Sequence, residues 1–191
     1  MRQIILASQS PRRRELMELI GFPFSVRVSE TEELITRHDP AAVTEELSWQ
    51  KAQAVAAELD DAQEIIVIGA DTVVSVEGQI LGKPASKDEA RSMIRTLQGR
   101  DHMVYTGVTI LGRSAVHGDR CETFSEGTRV TVASMSEDEI ESYISTEEPY
   151  DKAGAYGIQG TFARFIQGIS GDYYNVMGLP VHRLYEQLKT W

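Results

Sequence analysis

The pattern of hydrophobic and polar positions in the first twenty residues predicts a strand, a tight turn and a helix in immediate succession. Gln3–Ala7 is a short apolar run, typical of a buried strand. Pro11–Ile20 has the helical period, and its apolar residues recur three and four positions apart, at Leu16, Leu19 and Ile20. Ser10 suits the N-terminus of this helix and Gly21 its C-terminus. Residues 8–11 are therefore expected to form the turn.

The rest of the chain alternates between strand and helix patterns, which predicts an α/β fold. Further strands are expected at 24–28, 65–68, 79–81, 102–111, 119–133 and 162–169. Further helices are expected at 39–59, from the capping boxes at 86–89 and 136–139, and from Pro180. We expect the segment 171–180 to be a connection that crosses back.

Three consecutive arginines, Arg12, Arg13 and Arg14, occupy the first turn of the first helix. Each cation there is disfavoured by roughly 0.3–1 kcal/mol, because the N-terminus of a helix has partial positive charge. One interpretation is a solvated basic edge. The other is an anion site, where backbone N–H groups, the hydroxyls of Ser8 and Ser10 and the guanidinium groups converge on phosphate.

Two charged residues interrupt apolar patterns further along the chain. Asp71 follows the apolar strand 65–68, and a buried carboxylate costs several kcal/mol unless it is paired, hydrogen-bonded or metal-bound. A structural role, the capping of a neighbouring turn, is the alternative to a ligand site at the end of that strand. Lys51 lies on the apolar stripe of the helix 39–59, where it either extends to solvent or points into a cleft.

Three loops add polar groups to this set. The acidic loop 29–33 is either solvated surface or, opposite the arginines, a place for a divalent cation beside a phosphate. Lys83 is held between Gly82 and Pro84 on a short connection. The glycine-rich segment 147–160 presents Gln159, whose amide has the donors and the acceptor needed to contact the edge of a base.

Composition restricts the classes of function. The chain has 191 residues, is 41% hydrophobic and has a formal net charge of −10, as expected of a single globular domain over residues 1–191 rather than of a nucleic-acid-binding protein. Cys121 is the one cysteine, so an internal disulfide is excluded and zinc is disfavoured. The sequence has neither a membrane-spanning apolar run nor a signal-peptide pattern, so we expect no membrane partner and a cytoplasmic location.

Five segments, in the same order along the chain, resemble the Maf family of nucleotide pyrophosphatases. They are Leu6-Ala-Ser-Gln-Ser-Pro-Arg-Arg-Arg-Glu-Leu16, Gly69-Ala-Asp-Thr72, Gly82-Lys-Pro84, Glu148-Pro149 with Asp151-Lys-Ala-Gly-Ala-Tyr-Gly-Ile-Gln-Gly160, and Val176-Met-Gly-Leu-Pro180. The resemblance implies an elongated, curved mixed sheet flanked by helices, in two lobes with a central cleft, similar to that of inosine triphosphate pyrophosphatases. It also implies hydrolysis of a nucleoside triphosphate to the monophosphate and diphosphate with Mg²⁺ or Mn²⁺.

The same resemblance implies roles for particular residues. Asp71 matches the catalytic base, and Glu33 with Asp71 matches the metal-binding carboxylates. The phosphate-binding positions are matched by Ser8, Arg12, Arg13, Lys51 and Lys83. The positions associated with choice of substrate are matched by Arg12, Thr72 and Gln159. Thr72 and the segment around Gln159 resemble the branch that prefers dTTP and UTP, with modified pyrimidine nucleotides as further candidates.

Two alternatives to this enzyme remain open. One is a nucleotide-binding regulator of septum formation and cell division with little turnover, since the family is linked to septum formation. The other is a phosphatase that releases orthophosphate. In each case we expect a small nucleoside triphosphate as the binding partner and no nucleic acid, and a homodimer is compatible with the sequence.

Overall fold

The computed structural model describes residues 2–28, 30, 32–60, 64–114 and 118–191. The strands are β1 (Gln3–Ala7), β2 (Phe24–Val26), β3 (Ile65–Val76), β4 (Gln79–Leu81), β5 (Asp101–Arg113), β6 (Arg120–Val132) and β7 (Ile166–Ser170). The helices are α1 (Pro11–Ile20), α2 (Pro40–Ala57), α3 (Lys87–Leu97), α4 (Glu137–Ile144), α5 (Tyr173–Met177) and α6 (Val181–Leu188). Ser29 and Thr31 of the acidic loop, and residues 115–117, lie outside the described residues.

The strands form one mixed sheet in the order β2-β1-β3-β5-β6-β7, with β4 paired to β3. β1 is parallel to both of its neighbours, with Ile4 opposite Phe24 on β2 and Ala7 opposite Gly69 on β3. The β3–β4 and β6–β7 pairs are antiparallel. The expected mixed sheet with flanking helices is thereby confirmed.

The chain divides into two compact units. The first comprises Met1–Asp71, Thr106–Glu126 and Gly178–Trp191, and the second comprises Thr72–Tyr105 and Gly127–Met177. Within the part of the chain that the structure describes, no helix is long and apolar enough to span a bilayer.

Local sequence explains why α1 begins and ends where it does. The Ser10 hydroxyl accepts a hydrogen bond from the backbone N of Arg13 at 3.4 Å, and Gly21 adopts the left-handed conformation at φ 82° that ends the helix. The buried face contains Met17 besides Leu16 and Ile20, whereas Leu19 is 62% exposed. The predicted helix is confirmed, but its inward face is rotated away from Leu19.

Two glycines let α2 pack closely on the sheet of the first unit. A Cβ on Gly69 of β3 would collide with the backbone of Ser48 and Ala52, and a Cβ on Gly107 of β5 would collide with that of Thr44. This close packing buries polar side chains as well as apolar ones, and these side chains pair with one another: Ser48 Oγ lies 3.0 Å from Thr109 Oγ1. This close packing fixes the distance between α2 and β3, and it therefore also fixes the position of Lys51.

The structure differs from the sequence prediction at three places between residues 85 and 180. The expected strand 162–169 is a 3₁₀ turn, Thr161–Phe165, followed by β7, because Phe162 and Phe165 are three residues apart and both enter an aromatic cluster. The connection 171–180 contains the helix α5. The capping box before α3 is incomplete, since the carboxylate of Glu89 accepts from the N of Ala85 at 2.8 Å instead of from Ser86.

Candidate active site

The strand order points to one edge of the sheet of the first unit. From β1 the chain passes through α1 to β2 on one side, and it later passes through α2 to β3 on the other side. Open α/β sheets bind ligands where the strand order reverses in this way, at the carboxyl ends of the strands. β1 ends at Ala7, opposite Gly69, so Ser8 and Asp71 lie just beyond the end of this parallel pairing.

The sequence suggested that Asp71 lies at the end of its strand, and this prediction was wrong. β3 continues through it to Val76, and it is β1 that stops. The pairing of β1 with β3 ends at Ala7 and Gly69, two residues before Asp71. The carboxylate is still largely buried, with its side chain 15% exposed.

Lys51 provides the partner that a buried carboxylate requires. Its ammonium group donates a hydrogen bond to Oδ1 of Asp71, and it lies 3.1 Å from Oε1 of Glu33. The side chain of Lys51 is 24% exposed. Lys51 therefore does not extend into solvent from its apolar stripe; it lies between two carboxylates, and three predicted site residues meet at one point.

The turn after β1 is organised around Ser8. This buried hydroxyl accepts hydrogen bonds from the backbone N of Ser10 at 3.2 Å and from Nη1 of Arg13 at 3.4 Å. Nε of Arg13 donates to the carbonyl of Gly178 at 2.8 Å. Two sides of the guanidinium group are thus fixed by protein, which defines the direction in which it faces.

The three arginines have different environments. Burial lowers the pKa of Arg13, the charge of Asp71 opposes that shift, and the charge of Arg12 adds to it. Arg14 is instead mostly exposed and lies 3.7 Å from Glu18. The solvated-edge interpretation therefore holds for Arg14, whereas Arg13 is within the field of Asp71 and belongs to the candidate site.

The charged side chains of the candidate site form a cluster with one net positive charge. Its cations are Arg12, Arg13 and Lys51, and its carboxylates are Glu33 and Asp71, the charges of which also act on Arg13. A cluster of this kind attracts a polyanion even on an acidic chain, because the local field determines what binds.

The carboxylates of Glu33 and Asp71 are also suited to a divalent cation. Mg²⁺ is commonly held by one or two carboxylates together with the phosphates of a substrate, and both of these groups already approach one ammonium group. Among the described residues, no group of three or more His, Cys, Asp or Glu side chains is placed to hold a metal.

The other three predicted residues belong to the second unit. Lys83 is exposed and follows β4, on a connection that is fixed by a hydrogen bond from the N of Gly154 to the carbonyl of Gly82 at 3.0 Å. Thr72 is half-buried on β3, and Gln159 is exposed in the glycine-rich segment.

Sequence reasoning missed the role of Glu148, which shapes this glycine-rich segment. Its carboxylate accepts from the N of Thr161 at 2.7 Å, from Oγ1 of the same residue at 2.8 Å and from the hydroxyl of Tyr143 at 3.1 Å. Burial raises the pKa of Glu148, but these hydrogen bonds outweigh it and hold the pKa below its ordinary value. A Cβ on Gly160 would collide with this carboxylate, so that glycine serves internal packing.

Gly178 is a second residue whose role sequence reasoning missed. It adopts a φ of 120°, a conformation that favours glycine, and its carbonyl holds Arg13. Gly178 lies in the segment Val176-Met-Gly-Leu-Pro180, which carries part of the family resemblance. Only the structure shows that its carbonyl accepts a hydrogen bond from Arg13.

Comparisons with known proteins show the family of this chain. The family model described as Maf-like protein matches residues 3–191. The dTTP/UTP pyrophosphatase of Agathobacter rectalis is 52% identical over 201 residues, which cover 99% of this chain and 97% of that protein. The dTTP/UTP pyrophosphatase of Bacillus anthracis is 50% identical over 192 residues, which cover 100% and 96%.

A solved structure supports the fold alone. The Ham1 protein of Staphylococcus aureus has a TM-score of 0.54 at 14% identity, over 99% of both chains. The expected likeness to the fold of inosine triphosphate pyrophosphatases is thus confirmed. With a family model over nearly the whole chain and relatives at half identity, this protein belongs to the Maf family.

Proposed function

We propose that this protein hydrolyses dTTP and UTP to the nucleoside monophosphate and diphosphate. The observation that supports it most directly is the position of Asp71, beside Lys51 and within the field of Arg13, where the strand order reverses. The names of the two relatives at about half identity, both dTTP/UTP pyrophosphatases, point to the same reaction.

In this proposal the turn and the cations bind the triphosphate. Ser8, Arg12 and Arg13 contact phosphate oxygens, helped by the partial positive charge at the start of α1. Lys51 and Lys83 supply two further cations. The hydrogen bonds from Arg13 to Ser8 and Gly178 fix its guanidinium group in advance, so little side-chain entropy is lost when it binds phosphate.

Asp71 acts as the general base. It orients a water molecule and accepts its proton while the water oxygen forms a bond to the α-phosphorus. The bond from that phosphorus to the bridging oxygen breaks, and the electron pair leaves with the diphosphate. Arg13 and Lys51 stabilise the charge that develops on this leaving group.

Glu33 and Asp71 would hold the divalent cation, Mg²⁺ or Mn²⁺. When bound, the cation neutralises phosphate charge and makes the phosphorus more electrophilic. Lys51 offsets the charge of the same two carboxylates in the absence of the cation.

We assign the selection of the substrate's nucleobase to Arg12, Thr72 and Gln159. The family resemblance supports this assignment, and so does the exposure of the Gln159 side chain, which leaves its amide accessible to a ligand. Modified pyrimidine triphosphates are further candidate substrates.

The test is product analysis with a panel of triphosphates, namely UTP, dTTP, CTP, GTP and ATP, each with Mg²⁺ or Mn²⁺. Monophosphate and diphosphate from UTP and dTTP are expected. Turnover of purine triphosphates at the same rate would contradict the substrate preference. Orthophosphate as product would indicate a phosphatase, and nucleotide-dependent stabilisation without any product would favour the regulator of septum formation.

A further inference from the structure

A short segment beside the candidate site is held in place without any hydrophobic anchor. Every residue from 32 to 39 is exposed, including two aliphatic ones: Leu34 is 67% exposed and Ile35 is 57% exposed. We call residues 33–37 the strap. Since burial does not fix its backbone, polar contacts must do so.

Gln50 of α2 provides the first polar contact, at one residue of the strap. Its side-chain Oε1 accepts from the N of Leu34 at 2.9 Å, and its Nε2 donates to the carbonyl of the same residue at 2.6 Å. The amide thus satisfies both backbone groups of Leu34, much as a neighbouring strand would. This two-point contact fixes the orientation of the peptide as well as its position.

Glu46 provides the second contact, one helical turn earlier on α2. Its Oε2 accepts from the N of Thr36 at 2.9 Å and from the N of Arg37 at 3.3 Å, and its Oε1 accepts from the hydroxyl of Thr36 at 2.5 Å. These hydrogen bonds, chiefly those from Thr36, lower the pKa of Glu46. The far end of the strap is therefore fixed as well.

The spacing of these contacts leads to the candidate site. Gln50 immediately precedes Lys51 in α2, and Leu34 immediately follows Glu33 in the strap. The carboxylate of Glu33 reaches the ammonium group of Lys51 at 3.1 Å. The amide of Gln50 therefore holds the strap at the residue next to the one that enters the charge cluster.

We propose that Gln50 is a positioning residue for Glu33, with Glu46 as a second anchor of the same strap. This inference rests on the proposed function, in which Glu33 helps to hold the divalent cation. Gln50 itself touches neither substrate nor metal. It acts by presenting the Glu33 carboxylate beside Asp71 and Lys51.

The test is a double-mutant cycle of Gln50→Met with Glu33→Gln, measured as kcat and KM for UTP across Mg²⁺ concentrations. Methionine keeps the length of the side chain and removes both hydrogen bonds. Gln50→Met alone is expected to lower kcat roughly tenfold and to raise the Mg²⁺ concentration needed for half-maximal rate. In the Glu33→Gln background it should change neither, because the group that it positions is already altered.

A control and a structural readout complete the design. Gln53→Met makes the same change three residues further along α2, where the side chain has no hydrogen bond to the described residues of the strap, and it should retain wild-type kinetics. Amide hydrogen exchange of a peptide covering residues 32–38 should become faster in Gln50→Met and stay unchanged in Gln53→Met. Glu46→Gln, which keeps an acceptor for Thr36, should show the smaller effect on exchange.

Each outcome decides between the claims. Equal kinetics of Gln50→Met and wild type, or equal effects of Gln50→Met with and without Glu33, would overturn the positioning role and leave the proposed function intact. Wild-type turnover in Glu33→Gln would do the same. Absence of turnover by the wild-type protein would instead refute the proposed function. Unchanged amide hydrogen exchange of residues 32–38 in Gln50→Met would refute the claim that Gln50 anchors the strap.

Discussion

Replacement of Lys51 by methionine tests the charge cluster most severely. The variant keeps the aliphatic stem on the apolar stripe of α2 but removes the ammonium group between Glu33 and Asp71. Asp71, with its side chain 15% exposed, is left without this compensating cation. We expect the protein to fold with lower stability and to lose most of its turnover.

The size of the stability change follows from the two contacts that are lost. A hydrogen bond between charged groups contributes about 1.5–3 kcal/mol, which applies to the largely buried pair with Asp71. The side chain of Glu33 is 46% exposed, and solvent limits such a pair to roughly 0.2–1 kcal/mol. A loss of about 2 kcal/mol in the free energy of unfolding is expected, or roughly 4–8 °C in Tm for a chain of this length.

The assay is thermal unfolding of both proteins with and without Mg²⁺. Lys51→Met removes the cation between the carboxylates of Glu33 and Asp71, so these two groups repel each other. Added Mg²⁺ should therefore raise the Tm of this variant more than that of the wild type. Lys189→Met is the control, since it removes a surface pair, with Nζ 2.7 Å from Glu186, and should lower Tm by no more than about 2 °C. If Lys51→Met behaved like this control and gained nothing from Mg²⁺, the reasoning about the cluster would be refuted.

Three further predictions test other parts of the structure. Burial lowers the pKa of His102 to about 4 from 6.5, so between these pH values the unfolded chain binds a proton that the folded chain does not. The free energy of unfolding should therefore fall by about 3 kcal/mol as pH decreases through this window. Urea unfolding curves of His102→Gln should lack this part of the decrease. Gly69→Ala should lower Tm by several degrees or prevent folding, because its Cβ would meet the backbone of Ser48, whereas Gly168→Ala, with open space around its Cβ, should not; equal Tm values would contradict the close packing. Lys83→Ala should raise KM for UTP roughly tenfold, and unchanged kinetics would show that this lysine is only exposed surface.

Much of the fold could be predicted because local signals coincide with tertiary packing. The residues that cap α1 and the apolar run of β1 place both elements correctly from sequence alone. The strand prediction failed at 162–169 because an aromatic cluster decided the conformation there. Phe162 packs on Tyr156 and on Tyr143, and the contact with Tyr143 comes from another element, α4.

The candidate site was predictable where charged residues break an apolar pattern. Lys51 and Asp71 each interrupt such a pattern, and the structure joins them. Glu46 and Gln50 gave no such signal, since polar residues on an exposed helix face are ordinary. Their role depends on where the strap lies across α2, and no local pattern in the sequence specifies that.

The most direct test of the proposed reaction is a comparison of Asp71→Asn with the wild type, measuring UTP turnover and UTP binding separately. Asparagine keeps the shape of the side chain and an oxygen acceptor for Lys51 but cannot serve as the base at neutral pH. We predict that the variant folds and binds UTP, and that it releases diphosphate at least about a hundredfold more slowly. Diphosphate release at the wild-type rate would contradict the assignment of Asp71 and, with it, the account of this site.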